Sequence, residues 1–302
     1  MSAITRRSFL QTATAAGALT MTSPPARSES PQRMRLGVIT HVDRDAATAL
    51  AKVRELGFLT CQASINEYGA EIERQFKDAV TRYQIEVTTL VTLGPGPLVW
   101  NFDRGPETIG LVPPKYRRAR IEHFKRAADF AKRCGIPALH THCGFIPENH
   151  NDHLYKETVV AIREVVNHCK SLGLMFLYET GQETPLTLLR AIRDVGLDNQ
   201  GINLDVANLI LYGKGNPVDA LDVIGPLVRG VHAKDGRYPT DPHKLGEEVP
   251  IGQGKVDFPR LIARLKELNY GGAITIEREI EGPQQVEDIR RSKAYLEKLI
   301  AP

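Results

Sequence analysis

The chain has 302 residues, a formal net charge of +3 at neutral pH and a hydrophobic content of 42%. This length fits two average domains or one α/β barrel, for which about 250 residues is typical. No apolar run approaches the roughly 18 residues that would cross a bilayer. The first 30 residues carry three arginines and one glutamate, so subtracting their +2 leaves +1 for the remainder. This near-neutral balance excludes a strongly basic surface for nucleic acid.

The N-terminus has the pattern of an export signal. Residues 5–11 read Thr-Arg-Arg-Ser-Phe-Leu-Gln, and a mildly apolar, Ala/Thr-rich stretch over 12–22 precedes a polar segment over 23–32. This order is typical of the bacterial twin-arginine route. We therefore expect residues 1–30 to be a signal peptide and linker, and the protein to be periplasmic or otherwise exported, without stable membrane association. The alternative is a disordered tail that happens to contain two arginines.

The remaining chain alternates between short apolar runs typical of strands and longer amphipathic segments typical of helices. In chain order, strands and helices are predicted alternately at 34–40, 45–56, 58–63, 70–83, 85–93, 115–134, 138–143, 153–172, 174–179, 185–195, 201–205, 217–224, 228–233, 258–268, 273–277 and 284–300. Long loops are expected at 94–114 and 235–256.

Eight strand–helix alternations between residues 34 and 300 favour a closed (β/α)₈ barrel, a TIM barrel of the α/β class, over an open doubly wound sheet. A dinucleotide-binding sheet would carry Gly-x-Gly-x-x-Gly after its first strand, whereas residues 40–43 here read Thr-His-Val-Asp. That segment cannot cradle a pyrophosphate. We therefore expect one catalytic barrel domain over residues 34–300.

Four residues, Glu179, Asp205, His232 and Glu277, each end a strand-like run. Their spacings are 26, 27 and 45 residues by subtraction, and one βα unit takes about 30 residues. Because the strands of such a barrel all end at one face, these side chains should meet in one pocket. Three carboxylates and one neutral imidazole form a hard site, suited to Mn²⁺ or Mg²⁺ more than to a structural Zn²⁺.

Two of these positions carry open alternatives. Asp205 could instead cap a helix, and Asn208 could orient Asp205, contact a substrate or cap. If the last strand continues, Glu279 faces the same side as Glu277. The choice of metal ligand between these two is open, and we take Glu277 because it is the first to emerge from the apolar run.

Three stretches carry a family resemblance: Val-His-Ala-Lys-Asp at 231–235, Pro-Ile-Gly-Gln-Gly-Lys-Val-Asp-Phe at 250–258 and Gly-Gly-Ala-Ile-Thr-Ile-Glu-Arg-Glu at 271–279. In these the chain resembles the sugar phosphate isomerase/epimerase group of the xylose isomerase-like barrels, over roughly 34–300. That group includes ketose 3-epimerases, hydroxypyruvate isomerases, inosose dehydratases and, more distantly, endonuclease IV. Similar barrels often form dimers or tetramers, so a homo-oligomer is within expectation, although no sequence feature is diagnostic of one.

The resemblance implies a ligand set for one divalent ion, with Mn²⁺ preferred and Mg²⁺, Co²⁺ or Zn²⁺ as the other candidates. It also implies that two of the ligands serve as proton acceptor and donor on opposite faces of a bound sugar. The implied metal ligands are Glu179, Asp205, His232 and Glu277, and the implied catalytic pair is Glu179 and Glu277.

The expected function is a metal-dependent isomerase or epimerase of a sugar or keto-sugar. A C–H bond next to a carbonyl becomes acidic when a metal stabilises the enediolate, and carboxylates can then remove and return the proton. The same groups could eliminate water or a glycosidic oxygen from a keto-sugar or keto-glycoside, so a metal-dependent lyase or dehydratase is the first alternative. An endonuclease IV-like phosphodiesterase and a sugar-binding protein on an inactive barrel are the others. Export argues against a sugar phosphate.

Six further residues are predicted to contact the substrate. His140 and His142 should point the same way after the fourth strand, toward Glu179 or into loops, and Trp100 could stack on a sugar or pack its own loop. The complete predicted substrate set is Trp100, His140, His142, Asn208, Lys234 and Arg237.

Two positions mark departures from the ketose 3-epimerases. Asn208 stands where those enzymes carry a histidine. Tyr238 stands where they place an arginine, with Arg237 one residue earlier. The substrate therefore need not be a free ketohexose.

Overall fold

The computed structural model of the protein describes residues 33–42 and 45–301. The signal predicted at residues 1–30 lies outside these residues. Within them, eight parallel strands close into a barrel surrounded by helices, which confirms the predicted (β/α)₈ fold. No helix of this described part is long and apolar enough to cross a bilayer.

The barrel strands are short and largely buried. They are β1 (Arg35–His41), β2 (Thr60–Ser64), β3 (Glu86–Val91), β4 (Ala138–Thr141), β5 (Met175–Glu179), β6 (Gln200–Asp205), β7 (Val228–Ala233) and β10 (Ala273–Ile276). Around the barrel they follow the order β1-β10-β7-β6-β5-β4-β3-β2. Two further strands, β8 (Asp235–Gly236) and β9 (Glu248–Val249), pair antiparallel within the long loop after β7.

The helices pack outside the strands, with their apolar faces turned inward. They are α1 (Ala46–Glu55), α2 (Ala70–Tyr83), α3 (Gly105–Thr108), α4 (Pro114–Cys134), α5 (His153–Ser171), α6 (Pro185–Val195), α7 (Val206–Leu211), α8 (Pro217–Ile224), α9 (Phe258–Glu267) and α10 (Pro283–Ile300). A 3₁₀ turn, Gly225–Leu227, follows α8.

Helix α6 shows why several boundaries follow from local chemistry. The Thr184 hydroxyl accepts the N–H of Thr187 at the N-terminus, and Pro185 occupies the first helical turn. Both features are favourable there because the first N–H groups of a helix have no partner within it. Gly196 ends the helix with a left-handed φ of +70°, a conformation that glycine adopts without strain. The predicted range of 185–195 is therefore confirmed.

Strand register brings the functional ends to one level. Asp205 on β6 lies opposite His232 on β7, and Glu179 on β5 lies opposite Asn203 on β6. The N–H of Glu277 bonds to the carbonyl of Ala233, which carries the pattern one residue beyond β10. Four strands thus bring these four side chains, each at or within one residue of a strand's last residue, to the same end of the barrel, as the parallel topology requires.

The structure differs from the predicted elements mainly near this end. The strands predicted at 138–143 and 273–277 stop at Thr141 and Ile276. Helix α3 lies inside the predicted loop 94–114, and helix α7 begins immediately after Asp205. Helix α7 is only six buried residues long, too short to show helical periodicity in sequence.

Candidate metal and catalytic site

The structure brings together the four residues predicted to bind a metal. The Nδ1 atom of His232 lies 3.0 Å from Glu179 Oε1 and 3.0 Å from Glu277 Oε2. Asp205 Oδ2 lies 3.6 Å from the same nitrogen. All four potential ligand atoms lie within 4.8 Å of one another.

This donor set fits a hard divalent cation. Octahedral ligands about 2.1 Å from one centre are separated by about 3 Å when adjacent, close to the spacings measured from His232. The atoms Asp205 Oδ2 and His232 Nδ1 are buried, and although charged neighbours lie about 3 Å away, neither atom makes a well-aligned hydrogen bond within the part of the chain that the structure describes. Buried polar atoms normally have a partner, so a cation between these atoms would supply the missing interaction.

Lys234 supplies the positive charge beside this set. Its Nζ atom lies 3.0 Å from Asp205 Oδ2, 3.0 Å from Glu277 Oε2 and 2.6 Å from Glu279 Oε1. With His232 neutral, the buried carboxylates of Glu179, Asp205 and Glu277 and the ammonium of Lys234 sum to −2. A divalent cation would balance that charge, which is expensive to bury uncompensated.

The site shifts the pKa values of its members in both directions. Burial raises the pKa of Glu277, but Lys234 and His232 outweigh burial and hold this pKa well below its usual range. Burial lowers the pKa of His232, but Glu277 and Glu179 raise it well above its usual range. A proton and a metal ion are thus alternative ways to satisfy the nitrogen that faces the carboxylates.

Two further histidines hold the other oxygen of Glu179. His140 Nε2 lies 2.9 Å and His142 Nε2 lies 3.0 Å from Glu179 Oε2. Gln182 contacts the second nitrogen of His142 at 3.2 Å. One oxygen of Glu179 therefore contacts His140 and His142, and the other contacts His232. These contacts fix the plane of the carboxylate.

The carboxylates border a cavity of about 280 Å³ at the mouth of the barrel. Its lining residues are Ile39, His41, Ser64, Val91, Leu93, Trp100, His142, Glu179, Asn208, Leu211, Tyr212, Leu245, Glu277 and Glu279. A second cavity of about 450 Å³ shares Ile39, His41, Glu277 and Glu279 and extends toward α1 and α10. The smaller cavity contains both predicted catalytic residues and is the candidate substrate site.

The predicted substrate residues divide into three groups. Trp100, His142 and Asn208 line the cavity. His140 and Lys234 are fully buried against the carboxylates and are absent from the lining. Arg237 pairs with Glu247 at 2.9 Å on the exposed loop after β7, so the structure does not bring its side chain into the cavity.

The two alternatives left open by the sequence are answered by geometry. Asp205 both belongs to the ligand cluster and caps α7, because its Oδ1 accepts the N–H of Asn208 at 2.8 Å. Glu277 joins the cluster, whereas Glu279 pairs with Lys234 and has a side chain that is 59% exposed. Because β10 ends at Ile276, strand alternation no longer governs where Glu279 points.

Asp235 has a structural role that the sequence did not reveal. Its buried carboxylate accepts the backbone N–H groups of Gly236, Gly252, Gly254 and Val256 at 2.8–3.1 Å. It therefore anchors the Gly-Gln-Gly turn at 252–254 in the loop after β7 and is not among the residues that line the cavity. The adjacent residues Lys234 and Asp235 thus differ in role: the lysine pairs with the carboxylates, and the aspartate anchors the loop.

Comparison with known proteins places this chain in a family. The family model described as xylose isomerase-like TIM barrel matches residues 50–299. A xylose isomerase domain protein from Planctomyces limnophilus is 33% identical, with a TM-score of 0.84 over 88% of this chain and 97% of that chain.

More distant solved structures share the fold. The 3-keto-D-glucoside 4-epimerase of E. coli is 16% identical, with a TM-score of 0.66 over 88% of this chain and 100% of that one. A xylose isomerase-like barrel from Mycobacterium smegmatis, solved in complex with magnesium, is 17% identical, with a TM-score of 0.66 over 90% and 98% of the two chains.

A curated relative, an uncharacterised protein of Methanocaldococcus jannaschii, is 26% identical over 199 residues, or 62% of this chain. The match spans 64% of that relative's length. The family match covers most of the chain, and the Planctomyces protein is similar over nearly its whole length. The chain therefore belongs to the xylose isomerase-like TIM barrel family.

Proposed function

We propose that the protein is a divalent-metal-dependent isomerase or epimerase of a sugar or keto-sugar. The observation that carries this proposal is that Glu179 and Glu277 both lie 3.0 Å from one imidazole nitrogen and both border the same cavity. Two carboxylates beside one cation site can act as the general base that removes a proton and the general acid that returns one. The structural similarity to an enzyme described as a keto-glucoside epimerase supports the same class of reaction.

Different residues would have different roles in this reaction. A Mn²⁺ or Mg²⁺ ion held by Glu179, Asp205, His232 and Glu277 would polarise a substrate carbonyl and acidify the neighbouring C–H bond. One of the carboxylates Glu179 and Glu277 then removes the proton, and the other returns a proton to the opposite face of the carbon. His140 and His142 orient Glu179, and Lys234 keeps Glu277 ionised.

The cavity favours a substrate without phosphate. No Lys or Arg occurs among the described residues that line it, and protein sites for phosphate rely on cationic side chains or helix N-termini. Trp100 is 40% exposed and contacts His142 edge-on, with ring centroids 5.0 Å apart. Its indole ring offers an apolar surface for the C–H face of a sugar. A neutral keto-sugar or keto-glycoside is the substrate class that these features support.

Proton exchange tests the proposal directly. The wild-type protein, saturated with Mn²⁺, is incubated in D₂O with ketohexoses, 3-keto-glucose and 3-keto-glucosides, and the hydrogens next to each carbonyl are followed by NMR. We expect deuterium to enter one such position, and E179Q and E277Q each to slow the exchange by at least about 100-fold. Loss of water or of an aglycone together with exchange would assign the lyase alternative. Absence of exchange with every sugar, with Mn²⁺ shown to be bound, would overturn the proposal.

We also propose that residues 1–30 direct export by the twin-arginine route. Support comes from the Arg6-Arg7 pair, the mildly apolar segment and the polar segment, which occur in that order. The full chain carrying a C-terminal epitope is expressed in a bacterium, and its periplasmic fraction is measured. Replacing both Arg6 and Arg7 with Lys should abolish export, whereas Arg27→Lys should not. Export of the double variant at the wild-type level would contradict the proposal.

A further inference from the structure

A chain of three buried polar side chains crosses the barrel directly behind the metal cluster. Gln62 on β2 contacts His232 on β7, with its Oε1 atom 2.8 Å from Nε2. The Nε2 atom of Gln62 donates to Asn203 Oδ1 on β6 at 2.9 Å. In the barrel order β2 lies three strands from β7 and four from β6, so the side chain of Gln62 spans the interior.

The amide of Gln62 determines which group donates and which accepts in this series of hydrogen bonds. Gln62 has one donor end and one acceptor end. Because its NH₂ group donates to Asn203, its oxygen faces His232 and accepts an N–H there. An imidazole that carries its proton on Nε2 has a free lone pair on Nδ1. Nδ1 is the nitrogen that faces Glu179, Asp205 and Glu277.

The surrounding backbone makes room for this arrangement. A Cβ atom at Gly230 would lie 2.4 Å from Asn203 Oδ1 and 3.4 Å from Gln62 Nε2. Such a contact would push Asn203 away from the amide of Gln62. The backbone at position 230 therefore leaves free the space that Asn203 needs, although Gly230 is not itself part of the hydrogen-bonded chain.

We propose that Gln62 is a positioning residue that holds His232 in the Nε2–H tautomer, and that Asn203 sets the orientation of Gln62. The proposal rests on the metal site of the proposed function. Gln62 is neither a member of the candidate ligand cluster nor among the residues that line the cavity, so we expect it to act through His232. Partners of this kind on metal-bound histidines fix the tautomer and the ring orientation, and their loss typically weakens metal binding by about 10- to 100-fold.

Two variants separate hydrogen bonding from packing. Gln62→Met has a similar length and no acceptor. Gln62→Glu keeps an acceptor, and the unpartnered Nδ2 of Asn203 can turn to donate to it. Mn²⁺ affinity is measured by titration calorimetry, and folding is checked by thermal unfolding. We expect Q62M to bind Mn²⁺ about 10- to 100-fold more weakly and Q62E to stay within about three-fold of the wild type or bind more tightly, since a carboxylate is the stronger acceptor.

A spectroscopic measurement needs no variant of Gln62. Long-range ¹H–¹⁵N spectra of the Zn²⁺-loaded wild type, labelled at histidine nitrogens, report which nitrogen of His232 carries the proton, and H232Q assigns the signal. We expect the proton on Nε2. A proton on Nδ1, or equal Mn²⁺ affinity for Q62M and wild type, would overturn the role of Gln62 and leave the metal site intact. A wild type that binds no Mn²⁺ would overturn the proposed function and, with it, this role.

Discussion

The ammonium of Lys234 lies 3.0 Å from the carboxylate of Glu277, beside the cluster of candidate metal ligands and shielded from solvent. Burial lowers the pKa of Lys234, but Asp205, Glu277 and Glu279 outweigh burial and raise it well above its usual range. The lysine is therefore a permanent cation in a site where the carboxylates outnumber it. It lets the carboxylates pack together before any metal binds.

Replacing Lys234 with Met should expose this role. Removing one partner of a buried ion pair leaves the other charges uncompensated, so we expect the metal-free variant to lose about 3–5 kcal/mol of unfolding free energy. Mn²⁺ should restore much of that loss, because a divalent cation can neutralise the same oxygens. Urea unfolding with and without Mn²⁺ measures both effects.

The control for this variant is Lys244→Met. Lys244 forms a pair with Asp241 at 3.5 Å, and its side chain is 78% exposed. Exposed pairs contribute little to stability, so this variant should unfold like the wild type. A metal-free K234M protein as stable as wild type would contradict the role assigned to Lys234.

The neighbouring acids Glu277 and Glu279 should behave differently toward metal. Only Glu277 belongs to the cluster around His232, whereas Glu279 reaches that cluster through Lys234. We expect E277Q to weaken Mn²⁺ binding by more than about 100-fold. This is a larger loss than is usual for changing a residue that only hydrogen-bonds to a metal ligand. E279Q should change it by less than about three-fold, because the exposed charge is screened by water. Equal losses in both variants, measured by calorimetry, would show that the ligand is wrongly assigned.

The barrel and the clustering of four polar side chains could be predicted because both follow from local regularity. The alternation of strands and helices sets the fold, and parallel strands of similar length must end at one face. Hence Glu179, Asp205, His232 and Glu277 could be grouped from their spacing and their positions at the ends of strand-like runs, while their role as metal ligands stays a prediction. The helix α2 (Ala70–Tyr83), the helix α8 (Pro217–Ile224) and the strand β7 (Val228–Ala233) also have their predicted bounds.

The remaining features depend on closure of the barrel. Gln62 lies 170 residues from His232 and 141 from Asn203 in sequence, and only the closed sheet brings them together. A glutamine inside the apolar run before Ala63 was the available signal, since a buried amide needs partners. The position of Arg237 outside the cavity has a different cause: its loop turns through the β8–β9 pair, and its side chain pairs with Glu247.

Asp235 should matter more for stability than its unremarkable position suggests. In D235N, the side-chain NH₂ group of Asn would face backbone N–H groups that now donate to a carboxylate oxygen. We therefore expect D235N to lose about 3 kcal/mol or more of unfolding free energy. Asp257 caps α9 by accepting the N–H of Arg260 at 3.1 Å. Asn is an equally good capping residue, so D257N should lose less than about 0.5 kcal/mol. Chemical unfolding of both variants checks the contrast, and similar losses would refute it.

The carboxyl group of Glu183 should make the stability of the protein depend on pH. Its carboxyl group is buried, Oε2 has no hydrogen-bond partner among the residues that the structure describes, and burial raises its pKa from 4.5 to about 8. Between these values the folded protein holds a proton that the unfolded chain has released. The stabilisation from this group is therefore fully present below the unfolded pKa and is lost as the pH rises through the folded pKa, with a slope of about 1.4 kcal/mol per pH unit.

E183Q replaces the carboxyl group with a neutral side chain of the same size and should remove this dependence. Urea unfolding of metal-free wild type and variant is measured from pH 5 to pH 9. We expect the wild-type stability, relative to E183Q, to fall between pH 5 and about pH 8 and to level off above that, since the carboxyl is then ionised in both states. Subtracting the variant cancels the titration of other groups. A difference that stays constant over this range would show that Glu183 is ionised in the folded protein, as the unfolded chain is, and that its burial is compensated by contacts with Lys214 or the backbone.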